Sequence, residues 1–184
     1  MTQDCKRIAA RGSIRNILAP FHRYENPNLM DKLDRKILDL LQHDASLASA
    51  RIAERVGLSK AACWRRIKRL QDEGVIKRTV ALLNAHALNV GTSVFVMLKT
   101  ARHDQAWFDK FVAACRHVPE VTEIHRMSGE IDYLMRIVVS DIAAYDAVYK
   151  RLIAAVEFQD VSAGFSLEII KYTTALPLSH MKLE

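Results

Sequence analysis

Lys60, Arg65, Arg66, Lys68 and Arg69 follow one another with no acid before Asp72. None of them makes or breaks bonds in this setting. Their chemistry is recognition: cations answer phosphates, and long donor side chains answer base edges. Wound as an α-helix, the stretch puts Cys63, Ile67 and Leu70 on one apolar stripe. Ala61, Arg65, Lys68 and Arg69 fall opposite, with Lys60 and Trp64 on the flank. A helix anchored by one face and cationic on the other suits the major groove of a duplex. A charge run alone is as well explained by a solvated helix face. The context shifts the balance: a short helix precedes it, Gly57-Leu58-Ser59 makes a tight turn, and Ser59 stands at the second helix start. The candidate DNA-contacting residues are Ser59, Lys60, Ala61, Trp64, Arg65, Lys68 and Arg69, with Lys77 and Arg78 just beyond. Trp64 either packs against the preceding helix or touches a sugar or a thymine methyl, and both remain open.

These residues need a scaffold. Leu33, Ile37, Leu40 and Leu41 predict a helix over residues 33–42, with Asp31 and Asp34 at the positive end of its dipole. Ile52, Ala53 and Val56 predict a second helix over residues 49–56, ended by Gly57. Ser59 caps the third, and Gly74 closes it. Three such helices form a plain or winged helix-turn-helix module. Residues 75–83 are strand-prone and bring Lys77 and Arg78 within reach of backbone phosphate as a wing. Asn84, Asn89 and Gly91 mark residues 84–91 as a hinge linker.

The rest of the chain alternates. Strands are expected over residues 92–100, 121–127, 133–139 and 161–171, and helices over residues 105–116 and from Asp141 to about residue 156. The order is βαββαβ, a ferredoxin-like arrangement, so the whole chain is α+β. In the first strand Val94, Val96 and Leu98 face one way, Phe95 and Met97 the other. Both faces are apolar and both should be covered. Helices cover one face of such a sheet, and a second copy of the chain is the expected cover for the other, by sheet-face or edge packing.

Composition excludes several classes. Among 184 residues, half are apolar and the formal net charge is +6, with the positive excess in residues 30–90 and near balance in residues 91–184. That favours a polyanionic partner. Three cysteines, Cys5, Cys63 and Cys115, without a CxxC pair argue against a disulfide framework or a zinc ribbon, and Cys63 on the inward stripe reads as a buried thiol. No apolar run approaches a membrane span, and the N-terminus lacks the apolar core of a secretory signal, so a cytoplasmic location is expected. The seven histidines form no HxxxH or HExxH pair, and no GxGxxG, phosphate-loop or GxSxG motif is present. No cofactor, no metal and no catalytic residue is therefore expected. Residues 1–29 hold Ile8, Ile14, Ile17 and Leu18 in a weak basic pattern broken by Gly12, Pro20 and Pro27. They read as a disordered extension upstream of a true start at Met30, or alternatively as a basic arm touching phosphates. The expected domains are thus this 1–29 extension, a DNA-binding domain over 30–83, the 84–91 linker and a ferredoxin-like domain over 92–184.

A helix-turn-helix followed by βαββαβ resembles the Lrp/AsnC family of bacterial and archaeal regulators. The likeness covers residues 30–178. LDRKILDLLQHDA carries it in the first helix, then IAERVGLS followed by CWRRIKRLQDEGVI, ALLNAHALNVG at the hinge and SGEIDYLMRI after the second strand. The ending KYTTALPL is similar to that of one subgroup. In one departure, Ser59-Lys60-Ala61-Ala62 stands where many members start the recognition helix with a proline. That should alter base preference more than fold. The resemblance implies a sequence-specific transcriptional regulator, a homodimer assembling to octamers that reads palindromic promoter sites in double-stranded DNA. It implies an AsnC-type (RAM) C-terminal domain for oligomerisation and for sensing an amino acid or related small molecule, with amino-acid metabolism or transport genes as targets. It also implies an effector site at Met127, Ser128, Gly129, Glu130, Asp132 and Tyr133, between dimers. The residues suit that role. Gly129 admits close backbone approach, Asp132 could pair with an α-ammonium, and turn amides could hold a carboxylate. An ordinary hairpin in which Asp132 only satisfies backbone donors is the alternative. Two other classes stay in view: an enzyme resembling sirohaem decarboxylases, with His125 and Arg126 handling propionates, and a ligand-binding partner protein that never meets DNA. The five cations between Lys60 and Arg69 weigh against both.

Overall fold

The computed structural model describes residues 30–183. The expectations for residues 1–29, Cys5 among them, lie outside the described residues. The described residues form two units: residues 30–79 together with the tail over residues 174–183, and Val80–Thr173.

The first unit contains α1 (Lys32–His43), α2 (Ser49–Val56) and α3 (Lys60–Asp72). α1 opens on a reciprocal cap. The Leu33 and Asp34 amides each donate to Asp31 Oδ1 at 2.8 Å, and the Asp31 amide donates to Asp34 Oδ2 at 3.1 Å. Helix N-termini leave amides unpaired, and the two carboxylates satisfy them. α2 ends at Gly57 in the left-handed region, φ 73°, where the Leu58 amide returns to the Ala53 carbonyl at 2.9 Å. A side chain there would be strained, so this turn selects glycine. The Ala62 amide then donates to Ser59 Oγ at 3.2 Å and starts α3. Ile37, Ile52, Ala53, Val56, Cys63 and Leu70 form the buried core, with Leu58, Ile67, Val75 and Ile76 packed on it.

Two expectations change here. Residues 75–83 do not form the strand expected after the helices. Val75 and Ile76 turn back onto the helical core, while Val80, Leu82 and Leu83 lie exposed without a ladder partner among the described residues. A strand needs a neighbour for its amides, and β-propensity supplies none. The C-terminal boundary also moves. The tail from Thr174 groups with the first unit, not with the ferredoxin-like domain. The Leu176 amide donates to Gln42 Oε1 at 2.9 Å, Gln42 Nε2 donates to the Leu176 carbonyl at 3.3 Å, and Leu183 bridges Met30.

The second unit contains β1 (Thr92–Lys99), α4 (Gln105–Arg116), β2 (Val121–Arg126), β3 (Tyr133–Val139), α5 (Ile142–Ala155) and β4 (Asp160–Phe165). The sheet order is β2-β3-β1-β4, antiparallel throughout. Asp104 accepts the Trp107 amide at 2.9 Å and Asp141 the Ala144 amide at 2.8 Å, so each long helix begins on a carboxylate cap. Those amides are the foremost of the interactions that hold both carboxyls below the usual aspartate range. Val94, Val96, Leu98, Met135, Ile137 and Val139 face the helices and meet Trp107, Phe111, Cys115, Val148 and Leu152. Among the described residues nothing covers the opposite face: Phe95 remains 40% exposed. β4 is shorter than the expected 161–171 run. Its ladder with β1 ends at Val94↔Phe165, followed by one bond from the Ser166 amide to the Ser93 carbonyl at 2.9 Å. β1 starts at Thr92, so among the described residues Leu167, Ile169 and Ile170 have no strand to lie beside and stay exposed.

Among the described residues no helix is long and apolar enough to cross a membrane. Cys63 and Cys115 are buried thiols. Burial pushes Cys115 up to about 11 and raises Cys63 as well, the latter opposed by nearby Arg66. Native protein treated with iodoacetamide at mildly alkaline pH should leave both unlabelled until urea unfolds the chain, as peptide mass spectrometry would record. Rapid native labelling of either thiol would contradict their placement.

Candidate nucleic-acid interface and effector turn

α3 presents the residues expected to meet DNA, with one exception. Lys60, Ala61, Trp64, Arg65 and Lys68 are exposed, and Trp64 at 56% has chosen solvent over the α2 surface. A large ring left in water on a cationic face is available to sugar or a thymine methyl. Ser59 is exposed too, with its hydroxyl engaged as the α3 cap. Lys68 pairs with Asp72 at 2.8 Å, both well exposed. Such a pair is worth well under about 1 kcal/mol and yields readily to a phosphate. Lys77 and Arg78 are exposed on irregular backbone beyond α3.

Arg69 is the exception, and its assignment as an outward contact is corrected. Its Nη2 donates to Asp34 Oδ2 at 2.6 Å, and Asp34 is only 1% exposed. The outward wheel position is overridden because a long guanidinium side chain can swing toward a buried carboxylate. Arg66 joins it: Nη1 donates to Asp31 Oδ2 at 2.7 Å and to Asp34 Oδ1 at 2.9 Å. Sequence reasoning missed this cluster. The legible signal was Asp31-x-x-Asp34 at one helix start and Arg66-x-x-Arg69 beside an apolar stripe. Burial alone would raise the Asp31 carboxyl, yet the Asp34 amide, the Arg66 guanidinium and the Leu33 amide together hold it below the usual range. Hydrogen bonding to Asp34, with Asp31 adding to it, raises Arg66 further against the opposing effect of burial.

In the second unit the turn between β2 and β3 is clamped at its base and open at its tip. The Met127 amide donates to the Asp132 carbonyl at 2.8 Å, and the Asp132 amide to the Leu98 carbonyl at 2.9 Å. Gly129 has φ 124°, and a Cβ there would meet nothing within 4 Å, so the requirement for glycine is conformational, not steric. Met127, Ser128, Gly129 and Glu130 are exposed. Asp132 is half-buried, and its Oδ2 accepts the Thr100 amide at 2.8 Å. Tyr133 does not belong with them. It is 5% exposed, its ring 4.9 Å from Phe111 and 5.8 Å from Trp107. As the first residue of β3 it points to the helix-covered face, so its place in an effector site is corrected to a core role. His125 and Arg126 are exposed on edge strand β2, with His125 Nε2 3.4 Å from Glu123 and Glu123 bonded to Arg136 at 2.9 Å. This is a surface ion-pair cluster. Arg136 first and His125 second hold the Glu123 carboxyl below its usual value.

Comparison with known proteins decides the family. Residues 30–77 match the winged helix-turn-helix DNA-binding family, and residues 93–176 match the Lrp/AsnC ligand binding domain. The glutamate uptake regulatory protein of Zymomonas mobilis is 48% identical over 149 residues, covering 81% of this chain and 91% of that protein. A crystal structure of an AsnC family transcriptional regulator from Agrobacterium tumefaciens is 54% identical, with TM-score 0.80 over 83% of this chain and 99% of that one. The chain belongs to the Lrp/AsnC family. It is a transcriptional regulator that couples a DNA-binding helix-turn-helix to a ligand-binding domain. Another Lrp/AsnC-like structure, a transcriptional regulator of Neisseria meningitidis in complex with L-methionine, is 36% identical with TM-score 0.78, covering 82% of this chain and 98% of that one.

Proposed function

We propose that this regulator sets α3 into the major groove of promoter DNA and releases or re-spaces it when an amino acid occupies the β2–β3 turn. The observation carrying the first half is the exposed face formed by Lys60, Ala61, Trp64, Arg65 and Lys68 on a helix whose other face packs on the core through Cys63, Ile67 and Leu70. Arg65 and Lys68 contact bases or phosphates, Ser59 and Ala61 lie at the leading edge, and Lys77 and Arg78 reach adjacent backbone. The second half rests on the open tip of residues 127–130 above a clamped base. Met127, Ser128, Gly129 and Glu130 line the site, the turn amides face the α-carboxylate, and Asp132 meets the α-ammonium with a carboxylate already fixed by the Thr100 amide. The L-methionine bound by the Neisseria relative and the glutamate uptake named for the Zymomonas relative support an amino acid as the ligand class. The target genes then serve amino-acid metabolism or transport, and the protein works in the cytoplasm.

Two copies are needed to read a palindromic site, and the uncovered sheet face with Phe95 and Met97 is the surface they share before dimers assemble further. Sedimentation at micromolar concentration should give a dimer or larger, and a monomer across that range would remove this arrangement. The effector assignment is tested by isothermal titration with each common amino acid. Heat is expected with at least one, and Asp132→Ala should weaken that binding at least tenfold, as removal of a charge-assisted hydrogen bond implies. Silence with all of them would leave the turn an ordinary hairpin.

A further inference from the structure

The two acids at the start of α1 use every carboxylate oxygen they have. Asp31 Oδ1 takes the Leu33 and Asp34 amides, and its Oδ2 takes Arg66. Asp34 Oδ1 takes Arg66, and its Oδ2 takes Arg69 and the Asp31 amide. Two carboxylates thus face two guanidiniums, and the cluster is neutral. Arg66 and Arg69 are about a third exposed, 29% and 34%, so each guanidinium lies close enough to the surface to reach outward if released. We propose that Asp31 and Asp34 withhold Arg66 and Arg69 from the phosphate backbone, and so set how far the protein's DNA affinity depends on sequence.

The reasoning is electrostatic. Phosphate contacts strengthen binding to every duplex alike, whereas base-edge contacts alone tell one site from another. α3 carries five cations, and five free cations would favour binding anywhere. The cluster removes two from that pool and leaves Lys60, Arg65 and Lys68 beside Trp64. It also resists reversal. Pulling either arginine toward a phosphate would strip one oxygen of Asp34, which is 1% exposed, of its guanidinium. The Lys68–Asp72 pair offers the contrast, since both its members are more than half exposed and water readily replaces either. The same acids tie α3 to the start of α1, so they position the helix as well as neutralise it.

The proposal rests on α3 being the docking helix, and the test separates the two. Binding of the full chain to a fluorescently labelled random-sequence duplex is followed by anisotropy as potassium chloride is raised, and the slope of log K against log salt is read for each variant. On a random-sequence duplex, where Arg65 has no cognate base to read and rests on phosphate, Lys60→Gln and Arg65→Gln should each flatten the slope by about 0.9, the signature of one fewer phosphate neutralised. If neither does, α3 is not the docking helix and the proposal falls with that reading. Given those controls, Arg66→Gln should leave the slope unchanged. Asp31→Asn, which still caps α1, and Asp34→Asn should steepen it by about 0.9 for each arginine released, with a matching fall in the ratio of site-specific to random-duplex affinity. Circular dichroism confirms that each variant is folded. Should Arg66→Gln flatten the slope as much as Arg65→Gln, or should neither folded aspartate variant steepen it, the withholding role is overturned.

Discussion

Arg65→Ala lowers affinity for a selected operator by about 5- to 150-fold, the equivalent of roughly 1–3 kcal/mol for one base-reading side chain. Arg65 stands exposed on α3, whereas its neighbour Arg66 is drawn into the Asp31–Asp34 cluster. The substitution removes no core packing, so the folded state should be unaffected and the loss confined to DNA. The site is obtained by selecting bound fragments from the source genome with purified protein. Binding of wild type and variant to that site is then measured, together with single-base changes across it. A base contact relaxes one position of the site. A phosphate contact weakens all sequences alike and flattens the salt slope. Normal binding by both Arg65→Ala and Lys68→Ala would remove α3 from the interface.

Phe111→Ala costs about 3–5 kcal/mol of stability in the second unit. Phe111 is 1% exposed at the centre of an aromatic cluster beneath the sheet. Its ring stacks on Trp107 at 5.2 Å, tilts against Tyr133 at 4.9 Å and meets Phe158 edge-on at 6.0 Å. Truncation removes the buried area and the ring interactions together, and the surrounding rings cannot all close the void because Trp107 Nε1 is held by the Glu157 carbonyl at 3.0 Å. Phe111→Leu keeps most of the volume and should cost less than about 2 kcal/mol. Urea unfolding followed by Trp107 fluorescence, in a Trp64→Phe background so that one indole reports, measures both. Equal costs for the two substitutions would mean that the rings contribute no more than their bulk.

The parts that could be read from sequence were those governed by local chemistry. Ser59 as a cap, Gly57 as a left-handed terminus and the apolar stripes of α1 and α3 each follow from a neighbour or two along the chain. So do the two-residue alternation of β1 and the start of α5 at Asp141. What was not legible depended on partners distant in the chain. Arg69 looked outward on a helical wheel, but Asp34 lies 35 residues away and decides where its guanidinium goes. Tyr133 adjoins the turn in sequence, yet strand parity sends its ring inward. Residues 75–83 and 166–171 have strand composition but, among the described residues, no strand to pair with, which no propensity could reveal. Proximity in sequence places the tail with the sheet, whereas the side-chain amide of Gln42 ties it to the helical unit.

The clamp between Gln42 and Leu176 has a bearing on how the protein is born. Chains emerge from the ribosome from the N-terminal end, and early portions commonly settle while later ones are still being made. Here most of the DNA-reading unit precedes the sensing portion along the chain, yet its complement of contacts includes residues that follow that portion. That unit therefore reaches its finished form only after the sensing portion has been synthesised, so a nascent regulator acquires its complete reading head no sooner than it acquires its sensor.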